Sequence, residues 1–227
     1  MKNHFLLDPE ITFLNHGSFG ACPKPVFDVY QAWQRELEAQ PVEFLGRRAI
    51  PLLAESREKL ASYLNCAARD LVYFPNPTTA INMVVRNIDL KPGDEILTTD
   101  HEYGAMDRTW KYFCGKTGAR YIQRRIPLPV GSHAEFVENF WAGVTAKTRI
   151  IFLSQITSVT ALIFPVAEIC RCAREAGILC IIDGAHVPGQ LPLDLSTLEA
   201  DIYTGACHKW QWSEPQTKSY FINTICG

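Results

Sequence analysis

A chain of 227 residues, 47% hydrophobic and 20% charged, is long enough for one large α/β domain, or for one domain and part of a second, and has the balance of a soluble globular protein. The formal net charge of −2 gives no reason to expect nucleic acid or an acidic membrane surface as partner. No stretch approaches the roughly 18 apolar residues of a membrane helix. Asp8 and Glu10 interrupt the first apolar run, so a signal peptide is not expected and the implied location is cytoplasmic.

Residues 1–27 read as an N-terminal arm. Helices are predicted over Asp28–Gln40 and Arg48–Asn65, the second interrupted near its start by Pro51. Leu71–Phe74 is a short strand, followed by the turn Pro75-Asn76-Pro77 and a helix from about Thr78. After the turn Lys91–Asp94 come a strand over Glu95–Thr99, a helix over Gly104–Lys116, a strand over Ala119–Arg124 and a helix over Ser132–Gly143. The clearest βαβ unit is next. It runs from the strand Arg149–Leu153, through a helix opened near Pro165 and closed by Gly177, to the strand Ile178–Ile182, which ends on Asp183. Asp201–Tyr203 is a last short strand before His208-Lys209-Trp210. This alternation predicts an α/β domain, a mainly parallel sheet between helices.

Eight cysteines fall mostly inside apolar or helical runs, where a free thiol behaves as a small hydrophobe. Cys170-x-Cys172 has no second pair at zinc-like spacing, so no metal site is expected.

Ligands of open α/β sheets sit beyond the carboxyl ends of the strands. Polar clusters fall at five such places: Asn76–Asn82, Asp100–Gly104, Ser154–Ser158, Asp183–His186 and Thr204–Lys209. Asp183, at the end of an apolar strand, reads either as the cap of the following turn or as the partner of a cation or protonated ring nitrogen. Thr78 and Thr79 read either as plain N-caps or as an anion site at a helix N-terminus. Lys209, beside a histidine and aromatics, reads either as an ordinary surface lysine or as an amine with a lowered pKa, which a Schiff-base lysine requires.

In this order the motifs resemble the class V aminotransferase family, fold-type I pyridoxal-phosphate (PLP) enzymes that include cysteine desulfurases and isopenicillin N epimerase-like proteins. The likeness runs from about Phe13 to Trp210, and FLNHGSFG and DHEYGA look most like the epimerase-like branch. It implies Lys209 as the Schiff-base lysine and Asp183 as the partner of the pyridine nitrogen. His186 and Gln155 would sit beside the ring's phenolic oxygen and Tyr103 on its face. Thr78, Thr79 and His208 would hold the phosphate, and Asn15 and His16 would line the substrate pocket. An amino-acid substrate, a homodimer and a lyase, epimerase or transaminase reaction follow from the same likeness. The desulfurase reaction ranks lower, since none of the cysteines matches a mobile nucleophile.

Three positions depart from the family pattern. Pro77 removes a backbone N–H near the phosphate turn. Ala206 stands where the desulfurase branch has serine, a loss that Thr204 compensates only if the loop brings it close. Residues 211–227 form a divergent tail, and the C-terminal small domain, which normally carries a carboxylate-binding arginine, is not found in the sequence. The alternative expectation is therefore a truncated, catalytically inactive form with weak or no PLP binding.

Overall fold

Strands buried on both faces need continuous apolar runs rather than alternation, and the central strands of this chain have them. The computed structural model describes residues 2–211 and 219–223. Its strands are β1 (Leu71–Phe74), β2 (Glu95–Thr99), β3 (Arg120–Arg124), β4 (Thr148–Ser154), β5 (Leu179–Gly184), β6 (Ile202–Gly205) and β7 (Ser219–Asn223). They form one seven-stranded sheet in the order β1-β7-β6-β5-β4-β2-β3. Strands β2 to β6 pair in parallel, and β7 is antiparallel to both its neighbours. The fold is α/β with a mostly parallel sheet between helices.

The helices are α1 (Lys24–Ala39), α2 (Pro41–Glu43), α3 (Ala49–Leu64), α4 (Pro77–Arg86), α5 (Gly104–Thr117), α6 (His133–Trp141), α7 (Val166–Glu175) and α8 (Leu195–Leu198). Side-chain alternation along the strands divides the core in two. On one face Ile96, Ile150, Phe152, Ile181 and Ile202 pack against α4 and α5 through Ile81, Val85, Met106 and Trp110. On the other, Leu97, Ile151, Leu153, Ile182 and Tyr203 meet Phe136, Phe140, Ile169 and Cys170 of α6 and α7.

Two features differ from the sequence-based expectation. The helix expected to be interrupted at Pro51 runs through it. A π-helical turn over Phe44–Arg48 leads into α3, and Pro51 falls in the first turn of α3, where a missing N–H costs least. The divergent tail is also not merely an appendage, because its residues 219–223 supply β7 and bridge β1 to β6. Sequence reading passed over this strand although Tyr220-Phe221-Ile222 is a short run of strand-prone residues.

The N-terminal arm folds back onto the loop that carries Lys209. Phe5 makes a β-bridge to Pro23, and the Gly20 N–H donates to the His208 carbonyl at 2.9 Å. A Cβ at Gly20 would fall on the Lys209 carbonyl oxygen, so only glycine permits this approach. Among the described residues no helix is long and apolar enough to cross a membrane.

Candidate active site

Strand register sets up the site. Ser154 of β4, Asp183 of β5 and Thr204 of β6 are aligned neighbours at the carboxyl edge of the sheet. Counting back from them by twos reaches Phe152, Ile181 and Ile202, so all three face α4 and α5. A cavity of about 550 Å³ opens there. Thr78, Thr79, Tyr103, Asp183, His186, His208 and Lys209, all singled out in the sequence, line it together.

Asp183 is almost fully buried, and Oδ1 accepts from the Ala185 N–H at 2.9 Å and from the Thr204 hydroxyl at 3.3 Å. Burial raises its pKa, while the Ala185 hydrogen bond, the Lys209 charge and the Thr204 hydrogen bond pull it down. Lys209 is the cation that acts on this carboxylate. Lys209 is shifted the opposite way: burial lowers its pKa and Asp183 opposes the change. Its Nζ lies 3.1 Å from His186 Nε2. Burial, and then the Lys209 charge, lower His186 to about 4, so this imidazole is neutral at physiological pH.

At the far end of the cavity, Asn76 caps α4 by accepting from the Thr79 N–H at 2.8 Å. Pro77 occupies the first helical position, where the lost N–H would in any case have no partner inside the helix. The N-terminus of α4, with the positive end of its dipole, therefore borders the cavity together with Thr78 and Thr79, an arrangement suited to an anion. His208 points the same way: its Nδ1 is buried with no hydrogen-bond partner among the described residues. Such an orphaned polar atom costs about 1–3 kcal/mol unless a ligand satisfies it.

Four expected residues lie outside the cavity lining. Gln155 is on the opposite sheet face from Ser154, and its Oε1 accepts from the Tyr203 hydroxyl at 3.0 Å, so it does not line the cavity. Thr204 also lies outside the lining, because its hydroxyl is spent on Asp183 rather than on an anion. Asn15 and His16 split. Asn15 lines a neighbouring cavity of about 370 Å³, and the His16 ring lies 6.2 Å from the Trp210 ring.

Sequence reasoning also missed residues. Gly17, Ser18 and Phe19 line the cavity where the arm folds over it. Glu102 is buried beneath it and accepts from the hydroxyls of Thr99 at 2.7 Å and Ser154 at 2.6 Å, and from the Ser154 N–H at 3.0 Å. Burial raises Glu102 to about 7 against those hydrogen bonds, and the Asp183 charge adds to the rise. Its position within DHEYGA was the available signal, but the alternation that turns Ser154 toward it was not legible locally.

A family model, Aminotransferase class-V, matches residues 14–211. The chain belongs to the class V aminotransferase family. It is 40% identical over 207 residues to isopenicillin N epimerase of Amycolatopsis lactamdurans, covering 90% of this chain and 52% of that protein. It is 31% identical over 217 residues to putative L-cysteine desulfhydrase 1 of Oryza sativa subsp. japonica, covering 89% and 45%. Among solved structures, the cystine C-S lyase C-DES in complex with its product cysteine persulfide superposes with a TM-score of 0.87 at 27% identity, over 96% of this chain and 58% of that one. A lysine-to-alanine variant of C-DES, with glycine covalently linked to its PLP cofactor, gives a TM-score of 0.88 at 26% identity, covering 99% and 60%. The chain thus spans about half the length of the curated relatives it matches.

The cofactor of this family is pyridoxal 5′-phosphate, and the residues present fit it. The orphaned His208 Nδ1 and the α4 N-terminus suit its phosphate, and Asp183 suits a protonated ring nitrogen.

Proposed function

We propose that this chain carries the cofactor-binding half of a PLP-dependent enzyme acting on an amino acid, with Lys209 as the Schiff-base lysine. The observation that carries the reading is the convergence of three separate elements on one cavity. Lys209 comes from the loop after β6, Asp183 from β5, and Thr78 and Thr79 from the start of α4. When bound, the cofactor supplies a ring that stabilises negative charge at the substrate's α-carbon.

The chain's own groups divide the remaining work. Asp183 would hold a proton on the ring nitrogen, the α4 N-terminus and His208 would hold the phosphate, and Tyr103 would pack against the ring. The Lys209 amine, with its lowered pKa, moves a proton at the α-carbon. A lyase or epimerase reaction is favoured over a desulfurase. Cys207, two residues before Lys209, has its thiol pushed up to about 12 by burial and offers no thiolate at neutral pH.

The test is to incubate the chain with PLP, reduce it with borohydride and locate the adduct by mass spectrometry. A single adduct on Lys209, lost in Lys209→Ala, is expected. Adducts scattered over surface lysines would remove the reading. No adduct at all would favour the alternative, a form with weak or no PLP binding that is catalytically inactive.

The family's homodimer and a cytoplasmic location belong to the same proposal. Val42, Leu45, Ile50 and Leu53 of the α2–α3 segment are exposed and give a second copy an apolar face to cover. Cys66, Cys114, Cys170, Cys172, Cys180 and Cys207 are thiols outside any disulfide, in keeping with a reducing compartment. A mass near 25.6 kDa by light scattering, rather than twice that, would remove the dimer.

A further inference from the structure

Trp210 follows Lys209 directly, yet nothing in the chemistry above uses it. Its indole N–H donates to His186 Nδ1 at 3.2 Å, while Nε2 of the same imidazole faces Lys209 Nζ at 3.1 Å. An indole nitrogen can donate a hydrogen bond but cannot accept one. His186 Nδ1 must therefore be the acceptor, and the single proton of the neutral ring sits on Nε2.

That proton points at Lys209. An ammonium group has only donors, so protonated Lys209 would set donor against donor across 3.1 Å. The free amine has a lone pair that accepts. The converse arrangement, with the ammonium donating to a bare Nε2, places the ring proton on Nδ1 against the indole N–H. Only the first arrangement keeps both contacts as hydrogen bonds.

We infer that Trp210 is a positioning residue: it fixes the proton of His186 on Nε2 and, through that ring, holds Lys209 as the free amine that can attack a carbonyl carbon. This rests on the assignment of Lys209 proposed above. The fold holds Trp210 for the task. A Cβ at Gly17 would lie 3.2 Å from the indole ring, and Gly189, at φ +85°, lets the chain pass close to the Trp210 carbonyl.

Other titratable groups face this pair. Asp183 of β5 favours the ammonium form of Lys209, so it works against His186. His208, on the same loop as Lys209, has its own pKa lowered by burial and by the Lys209 charge. His16 of the arm lies with its ring centroid 6.2 Å from that of Trp210, its Nδ1 accepting from the Ala21 N–H at 3.3 Å. Burial lowers both Lys209 and His186, in the same direction as the tautomer argument.

The test uses the full chain and two readouts. The first is the His186 tautomer by 15N NMR, which needs no cofactor. The second is the rate of borohydride-trapped adduct formation at Lys209 with PLP, followed from about pH 6 to pH 9 in wild type and Trp210→Phe. Wild type should show the Nε2–H tautomer. Trp210→Phe should raise the midpoint of the pH–rate profile by about one unit, slow trapping about tenfold near neutrality, and leave the rate at high pH close to wild type. Slowing by one constant factor at every pH would reduce Trp210 to packing and overturn the inference. So would an Nδ1–H tautomer in wild type. If neither protein forms an adduct at Lys209, the assignment of Lys209 fails, and the tautomer measurement still decides the role of Trp210.

Discussion

Asp183→Asn is expected to weaken PLP binding by roughly 100-fold, a loss of about 3 kcal/mol, while leaving the cofactor-free chain as stable as wild type or more so at pH 7. The two effects separate because they have different causes. An asparagine Oδ1 can accept from Ala185 and Thr204 as the carboxylate does, so the local framework survives. What it cannot supply is a negative charge for a ring N–H.

The stability half follows from the direction of the Asp183 shift. Burial raises its folded pKa above the ordinary carboxylate value. Stability is then fully present below the ordinary value and is lost as pH rises through the raised one. The variant removes that loss, so its advantage should appear near neutral pH and fade below about pH 4. Thermal melts of both proteins across this range, with equilibrium PLP titrations, check both halves. A variant that melts lower than wild type at pH 7 would assign Asp183 to structure rather than to the cofactor.

Gly20→Ala is expected to detach the arm from the Lys209 loop and lower the thermal midpoint by roughly 3–10 °C, the range for an overpacking cost of about 1–3 kcal/mol in a chain of this size. The added methyl would meet the Lys209 carbonyl, then the His208 carbonyl at 2.7 Å, and both are backbone atoms that cannot rotate aside. The hydrogen bond from Gly20 to His208 would go with it, and with it the hold on Gly17, Ser18 and Phe19 at the cavity wall. Faster amide exchange at Gly20 and earlier proteolysis within the arm would mark the detachment. A melting point within 1 °C of wild type, with unchanged exchange, would show that the arm accommodates the methyl at no cost.

Much of the site was legible in the sequence, because chain order carries it. A turn opening a helix at Thr78, an acid closing the apolar run before Asp183, and a histidine–lysine pair after a short strand are local signals. Each depends on neighbours within a few residues. The same locality placed the parallel strands β2 to β6 to within two residues at each end, most plainly the apolar runs of β4 and β5. Resemblance to one family then linked the pieces.

What the sequence by itself determined is therefore the fold class, the family, and seven of the residues that line the cavity: Thr78, Thr79, Tyr103, Asp183, His186, His208 and Lys209. Which of them face one another was decided only by tertiary structure. Register and pleat put Gln155 on the wrong face and Ser154 on the right one, though they are adjacent in the chain. Pairing across the sheet commits Thr204 to Asp183, and the returning arm places Gly17 to Phe19 over the site instead of His16. The tail completes the sheet as β7, and only the fold shows that this short run is inserted between β1 and β6. The physical reason is the same in each case. Burial, hydrogen-bond direction and close backbone approach depend on partners that are distant in sequence, and only the folded chain brings them together.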